Sequence, residues 1–142
     1  MFSRSQVDHL HQSFMVFTAA VDSINKANGW HDDDRRFAED IALLHSEVSE
    51  MLEAYRDYGM RDIVEFRSDD GYARLPANDR NAMNWIAAGQ KPKPLSVGSE
   101  AADILIRLLD TCSRYGIDLA AETARKLEYN KTRGYKHGGK AL

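Results

Sequence analysis

LLHSEVSEML, residues 43–52, places two glutamates three residues apart in an otherwise apolar stretch. Residues with this spacing lie on neighbouring parts of one helix surface, so Glu47 and Glu50 share a face. At about 100° per residue, Glu47 falls inside the apolar sector and Glu50 at its border. A buried carboxylate is costly unless it is paired or bound to a metal. The stretch therefore predicts a core-facing helix whose buried charge has a compensating partner.

The remaining helices are predicted from apolar residues that recur at spacings of three and four. A first helix covers about residues 5–27, the second ends near Asp57, a third covers about 99–115, and a fourth follows its N-cap Asp118. The N-cap of the second helix is expected among His31 and the three aspartates after it. No segment alternates convincingly as a strand. The predicted fold class is therefore all-α, a four-helix bundle-like domain.

Residues 58–98 form a long connection between the second and third helices, and we expect them to be irregular. They contain all three prolines of the chain and a short predicted helix around residues 79–88, with Asn78 as its N-cap. A connection of this length in a compact domain is often a lid or a binding loop. A surface insertion without a functional role is the alternative.

Length and charge indicate one domain, residues 1–142, with an uneven charge distribution. The net charge of −3 gives no indication of nucleic acid binding. Residues 1–125 carry 14 basic and 21 acidic side chains, whereas residues 126–142 carry 5 basic and 1 acidic. The basic tail, whose glycine-rich part is residues 131–142, either binds an anion or is a solvated end.

The cysteine content and the length of the apolar runs indicate the cellular compartment of the protein. Cys112 is the only cysteine, so no internal disulfide can form, and it is expected to be a buried small hydrophobic residue. No run of 18 apolar residues and no apolar signal core are present. We therefore expect a cytoplasmic protein that does not associate with membranes.

A second acidic pair lies on the third predicted helix. SEAADILIRLL, residues 99–109, places Glu100 and Asp103 three residues apart. If the two helices meet, four carboxylates converge and need a cation, and oxygen ligands of this kind suit Mg²⁺ or Mn²⁺. The alternative is an exposed salt-bridged face, because Asp103 and Asp110 each precede an arginine by four residues.

Together the two acidic motifs resemble those of the MazG-like all-α nucleoside triphosphate pyrophosphohydrolases. Glu47-Val-Ser-Glu50 matches the E-x-x-E motif of that family, and Glu100-Ala-Ala-Asp103 matches its later E-x-x-D motif. The resemblance covers most of the chain but not residues 58–98, which are longer than the family's minimal linker. It implies a four-helix domain of the MazG type.

The C-terminal segment adds to this resemblance. KLEYNKTRGYKHGGK is similar to the family's K-x-x-x-N-x-x-R segment through Lys126, Asn130 and Arg133. These side chains are expected to contact substrate phosphates, although solvated tail charges are the alternative. Trp30 is the candidate for stacking on a base, or else it fixes its loop to the core.

The resemblance implies an enzyme that hydrolyses a nucleoside or deoxynucleoside triphosphate to the monophosphate and pyrophosphate. The implied cofactor is Mg²⁺, with Mn²⁺ as a substitute, and the implied assembly is a homodimer or homotetramer. The residues expected to bind the metal and serve catalysis are Glu47, Glu50, Glu100 and Asp103. The competing hypothesis is a non-enzymatic helical module that binds a nucleotide or a partner protein.

Overall fold

The structure is a computed structural model of the chain, and it describes residues 3–133. These residues form five helices and three short strands. In chain order the elements are α1 Arg4–Ala27, α2 Phe37–Tyr58, β1 Ile63–Ser68, β2 Gly71–Pro76, α3 Arg80–Ala87, β3 Lys93–Pro94, α4 Val97–Arg114 and α5 Leu119–Lys131. The prediction of a mainly helical chain is confirmed, with a small sheet in addition.

Local capping explains where several helices begin and end. Before α1, the Ser3 hydroxyl accepts a hydrogen bond from the Gln6 backbone N–H, and the Gln6 side chain accepts one from the Ser3 N–H. This reciprocal pair satisfies two backbone donors that a helix start leaves open. The helix ends at Asn28, and Gly29 follows with φ +76°. Asp118 caps α5 by accepting from Ala121 N–H, also as predicted.

Two N-caps differ from the predictions. The cap of α2 is Arg36, not His31 or the aspartates that follow it, and the Glu39 carboxylate accepts the Arg36 backbone N–H. The cap of α3 is Asp79, not Asn78, because the Asp79 carboxylate accepts from the backbone N–H two residues later. In both places several polar residues compete for one capping position, and composition alone does not decide among them.

The expectation that residues 58–98 lack strands is wrong. β1 and β2 form an antiparallel hairpin, and β3 pairs with the other edge of β1, so the strand order is β2-β1-β3. β2 alternates between half-buried and exposed residues, whereas the first two residues of β1 are both buried. β3 has only two residues and includes a proline, which is tolerated at a sheet edge.

The sheet and α3 share a small apolar core. Phe66 of β1 and Trp85 of α3 meet edge to face with ring centroids 5.0 Å apart. Val64 and Ala82 are buried beside Phe66. This core gives the connection its own packed structure, and the short helix predicted around residues 79–88 is part of it.

The chain divides into two compact units. The first contains residues 3–34 and 109–133, and the second contains residues 35–108. In the first unit α1 contacts α5, and Val21, Cys112 and Ala120 are buried. The interpretation of Cys112 as a buried small hydrophobic residue is confirmed.

Part of the predicted apolar face of α1 is exposed in the single chain. Phe17 and Ile24 keep more than half of their surface in solvent, as do their neighbours Met15 and Val16. Phe17 and Ile24 belong to the predicted apolar face, so this face is not fully covered. Among residues 3–133, no helix combines the length and the apolar character needed to cross a membrane.

Candidate metal centre

Glu47 and Glu50 lie on α2, and the helix places them as the sequence predicted. Glu47 is buried, with 7% of its surface exposed, whereas Glu50 is exposed. This difference follows from the 100° rotation per residue, which turns Glu47 into the apolar sector and Glu50 to its border. Glu47 therefore carries a cost of burial that Glu50 does not.

Glu100 and Asp103 lie in the first turns of α4. Ser96 and Ser99 fix the start of this helix, because each backbone N–H donates to the hydroxyl of the other, at 2.8 Å from Ser96 and 3.1 Å from Ser99. Glu100 is buried and Asp103 is exposed. A negative charge in the first turn of a helix is favoured by the helix dipole, which offsets part of the cost of burying Glu100.

Three of the four predicted carboxylates come together. Glu47, Glu50 and Glu100 each offer an oxygen, and these oxygens lie within 4.8 Å of one another. We call these three residues the carboxylate cluster. Asp103 is not part of this cluster, but its charge raises the pKa of Glu100. Two motifs about 50 residues apart in the chain thus bring three of the four predicted carboxylates together.

Mutual repulsion and burial shift the ionisation of the α4 carboxylates. Burial raises the pKa of Glu100, and the charges of Asp103 and Glu50 raise it further. Although Asp103 is exposed, partial desolvation of its carboxyl group raises its pKa, with the charge of Glu47 as the next cause. Lys93 of β3 opposes both shifts. The site therefore carries negative charge that the neighbouring cations do not fully offset.

Arg107 of α4 is a member of the site that the sequence did not single out. Its Nε donates to Glu47 Oε1 at 2.7 Å, and its Nη2 lies 2.5 Å from the same oxygen. The alternative of an exposed salt-bridged face placed Arg107 next to Asp103, whereas the Arg107 Nε–H donates to Glu47 on another helix. The available signal was its position seven residues after Glu100, which places both on one side of α4.

Lys93 was missed for a different reason. It lies in β3, where it is opposite Glu65 of β1, and the sequence offered no evidence of a strand there. The backbone N–H of Leu95 then donates to Ile63 O at 2.8 Å, just before α4 begins. The sheet therefore determines where Lys93 lies, and helical periodicity contains no information about it.

The donor set fits a hard divalent cation. Carboxylate oxygens are the ligands that Mg²⁺ and Mn²⁺ prefer, and three of them from two helices can reach a common point. The raised pKa of Glu100 is the expected mark of a site that lacks positive charge. Glu47, Glu50 and Glu100 are thus the residues that could hold such an ion, with Asp103 next to them on α4.

The residues predicted to bind substrate lie in the first unit and are exposed. Lys126 and Asn130 are on α5, and the Lys126 ammonium lies 5.2 Å from the ring centroid of Tyr129. α5 ends at Lys131, so Arg133 lies beyond the helix. Residues 134–142 of the basic tail lie outside the described residues.

Trp30 and its neighbour His31 follow α1 in the first unit. Trp30 is half exposed, and its backbone N–H donates to Asn25 O at 2.9 Å. His31 Nε2 lies 2.7 Å from Oδ1 of the buried Asp110, and its other ring nitrogen lies 3.8 Å from Asp22. The ring thus compensates the buried carboxylate of Asp110, a pairing that the sequence did not predict.

Comparisons of the chain with protein-family models, with curated proteins and with solved structures found no match in any of the three.

Proposed function

We propose that the chain is a divalent-cation-dependent hydrolase that converts a nucleoside or deoxynucleoside triphosphate to the monophosphate and pyrophosphate. The observation that carries this proposal is the convergence of Glu47, Glu50 and Glu100 from two helices on one site. The resemblance of their two motifs to those of the MazG-like family supports the same reaction. The proposal includes a MazG-type arrangement of the helices.

The role of the acidic residues follows from the charge of the substrate. A triphosphate is strongly anionic, so a site made of carboxylates can accept it only when cations are present. When bound, Mg²⁺ or Mn²⁺ neutralises phosphate oxygens and makes a coordinated water more acidic. Glu47, Glu50 and Glu100 would hold the ion, and Asp103 adds negative charge beside it. One of these carboxylates would orient the attacking water.

Cationic side chains have the complementary task of binding the phosphates. Lys93 is the cation of the sheet whose charge reaches Glu100 and Asp103. Lys126 and Arg133 are further candidates, and an arginine can bind phosphate oxygens through two parallel hydrogen bonds. Asn130 would add a hydrogen bond, and Trp30 offers an exposed ring for stacking on a base.

The first test is product analysis with a panel of ribo- and deoxyribonucleoside triphosphates in Mg²⁺. We expect pyrophosphate and nucleoside monophosphate in equal amounts, with no product after chelation of the metal. Release of orthophosphate together with a diphosphate would contradict the proposed position of attack. Failure to hydrolyse any member of the panel would contradict the enzymatic proposal altogether.

Arg133 provides a test of substrate binding. A charge-assisted contact to phosphate contributes about 1.5–3 kcal/mol, so Arg133→Ala should lower kcat/KM by about one to two orders of magnitude. The matched control is Arg125→Ala, which removes an exposed arginine of α5 that pairs with Glu122. Equal kcat/KM values for the two variants would assign Arg133 to the solvated surface.

The exposed apolar side chains of α1 support a homodimer or a dimer of dimers. Met15, Val16, Phe17 and Ile24 are each more than half exposed in the single chain. Exposed apolar side chains that form a contiguous patch are typical of interaction surfaces. Light scattering at micromolar concentration should give at least twice the monomer mass, and Phe17→Asp should reduce it. A wild-type monomer would remove this part of the proposal.

The alternative function is a binding module without catalysis, and a pocket in the first unit favours it. The pocket has a volume of about 340 Å³, and its lining includes Phe14, Met15 and Cys112. Its size is at the lower end of the range for small-molecule sites. Nucleotide binding without release of pyrophosphate would favour this alternative over the hydrolase.

A further inference from the structure

Arg107 makes a strong contact with one member of the carboxylate cluster. Both of its contacting nitrogens, Nε and Nη2, meet the same oxygen of Glu47, Oε1, at 2.7 and 2.5 Å. The two side chains are largely shielded, with 24% of Arg107 and 10% of Glu47 exposed. Charge-assisted hydrogen bonds in partly buried surroundings are short and strong, so this pair is a fixed part of the site.

The contact determines how Glu47 can serve as a ligand. Because Arg107 contacts Oε1 with two donors, Glu47 would offer Oε2 to a cation. A carboxylate that bridges two metal ions through both of its oxygens gives one oxygen to each ion. In that mode a second ion would compete with Arg107 for Oε1, and the guanidinium brings a positive charge to that side of Glu47.

The net charge of the site also favours a single divalent cation. With Glu47, Glu50, Glu100 and Asp103 ionised, the carboxylates carry four negative charges. Arg107 and one divalent cation reduce this to one negative charge, and Lys93 lies close enough to act on the α4 carboxylates. A second divalent cation would leave a net positive charge next to a guanidinium, and like charges in a partly buried site repel strongly.

We propose that Arg107 takes the place of a second metal ion, so that the carboxylate cluster binds one divalent cation per chain. This inference rests on the proposed function for the nature of the site, and it adds the number of ions and a role for Arg107. Arg107 is a positioning residue, because it acts through Glu47 and not on the substrate. It keeps Glu47 oriented as a ligand through one oxygen.

The experiment is a titration of the full chain with Mn²⁺ alone, without nucleotide. Binding is monitored by calorimetry and by electron paramagnetic resonance. We expect one Mn²⁺ per wild-type chain, and weaker binding in Glu50→Gln. Arg107→Met frees Oε1 of Glu47 and removes the positive charge, so its stoichiometry should rise from one to two. Arg125→Met, which removes an exposed arginine of α5, should keep one ion per chain.

The resonance spectrum keeps the test valid even if Arg107→Met does not fold. Two Mn²⁺ ions in a shared centre lie about 3.5–4 Å apart and give a spin-coupled spectrum. The wild-type chain in excess Mn²⁺ should give only the uncoupled six-line signal. A coupled pair in the wild type, or a folded Arg107→Met variant that still binds one ion, would overturn the proposal.

The same samples separate this inference from the proposed function. A chain that binds one Mn²⁺ but releases no pyrophosphate from any triphosphate supports the count of one and contradicts the hydrolase. A chain that binds a coupled pair and hydrolyses triphosphates supports the hydrolase and contradicts the role of Arg107. Absence of any Mn²⁺ binding overturns both.

Discussion

Glu100 and Asp110 are both carboxylates of α4, and both are almost fully buried, but their surroundings differ. Asp110 has one close partner of opposite polarity, the ring of His31 at 2.7 Å. Glu100 instead faces other carboxylates, and its pKa is raised by burial and by their charges. The first carboxylate has a close partner within the chain, whereas the second lies in a group of carboxylates whose charge a cation could offset.

Under the proposed function, this difference separates a structural role from a functional one. A buried charge with a well-placed partner is compensated within the chain, and loss of that partner is costly. A group of buried charges of one sign destabilises the folded state, and such groups concentrate at sites where a ligand supplies the missing charge. Burial alone would not have distinguished Glu100 from Asp110, since their exposed fractions are 8% and 7%.

The largest expected effect is the loss of activity in Glu50→Gln. The substitution keeps the shape of the side chain and removes one charge from the cluster. Loss of a residue that only supports a ligand costs about 10–100-fold, so loss of a ligand should lower kcat/KM by more than about 100-fold. The thermal midpoint should change little, because Glu50 is exposed.

The matched control for this variant is Glu53→Gln, which alters an exposed glutamate one turn further along α2. It should hydrolyse substrate at the wild-type rate. If Glu50→Gln retains full activity at low Mg²⁺, the carboxylate cluster is not the metal centre, and the contrast with Asp110 loses its functional meaning.

An intermediate effect is expected for Asp110→Ala, and on stability, not on metal binding. The substitution leaves the ring of His31 without its closest partner, and a buried polar group in that state costs about 1–3 kcal/mol. Urea unfolding should show this loss, while Mn²⁺ affinity measured by calorimetry should match the wild type. Asp69→Ala, at the exposed hairpin turn, should change the free energy of unfolding by less than about 0.5 kcal/mol.

The opposite result for Asp110→Ala, an effect on metal binding and not on stability, would contradict this expectation. If Asp110→Ala unfolds at the wild-type urea concentration but binds Mn²⁺ more weakly, then Asp110 belongs with the metal centre. Asp110 and Glu100 would then have the same role, and the pairing of Asp110 with His31 would not mark it as structural.

The smallest expected effect is on the pH dependence of stability without metal. Glu100 and Asp103 have a raised pKa in the folded chain. At pH values between the ordinary pKa and the raised pKa, the folded state therefore binds more protons than the unfolded state. In that window, which begins at about pH 4, the free energy of unfolding falls as pH rises. Urea midpoints measured from pH 4 upward in chelator should show this decline.

Glu100→Gln should flatten the decline, because it removes the group that releases its proton late. Asp69→Ala, at the exposed hairpin turn, should keep the slope of the wild type. A slope that is the same in wild type and Glu100→Gln would show that repulsion in the carboxylate cluster has no measurable effect on folding.

Helical periodicity predicted the parts of the site that depend on one helix at a time. The phase of α2 placed Glu47 in the apolar sector, and the structure buries it. The same phase placed Glu50 at the border. Helix boundaries were close to those observed because Asn28, Asp118 and the glycines that end helices act locally.

The parts that were missed depend on contacts between distant residues. Arg107 binds Glu47, 60 residues earlier in the chain, and its spacing to Asp103 indicated a nearer partner. His31 binds Asp110 across 79 residues. Lys93 owes its place to a strand of two residues, which is too short to produce a pattern. Periodicity describes which face a residue occupies but not what that face meets.

The junction between β3 and α4 has a consequence for inheritance. Only Leu95 and Ser96 separate the two elements, and Leu95 N–H is bonded to Ile63 O while Ser96 forms its reciprocal pair with Ser99. The sheet therefore sets the rotation at which α4 begins, and with it the direction of Glu100. We therefore expect that a change in the length or register of the sheet would also rotate Glu100, so that the connection and the carboxylates would change together in evolution.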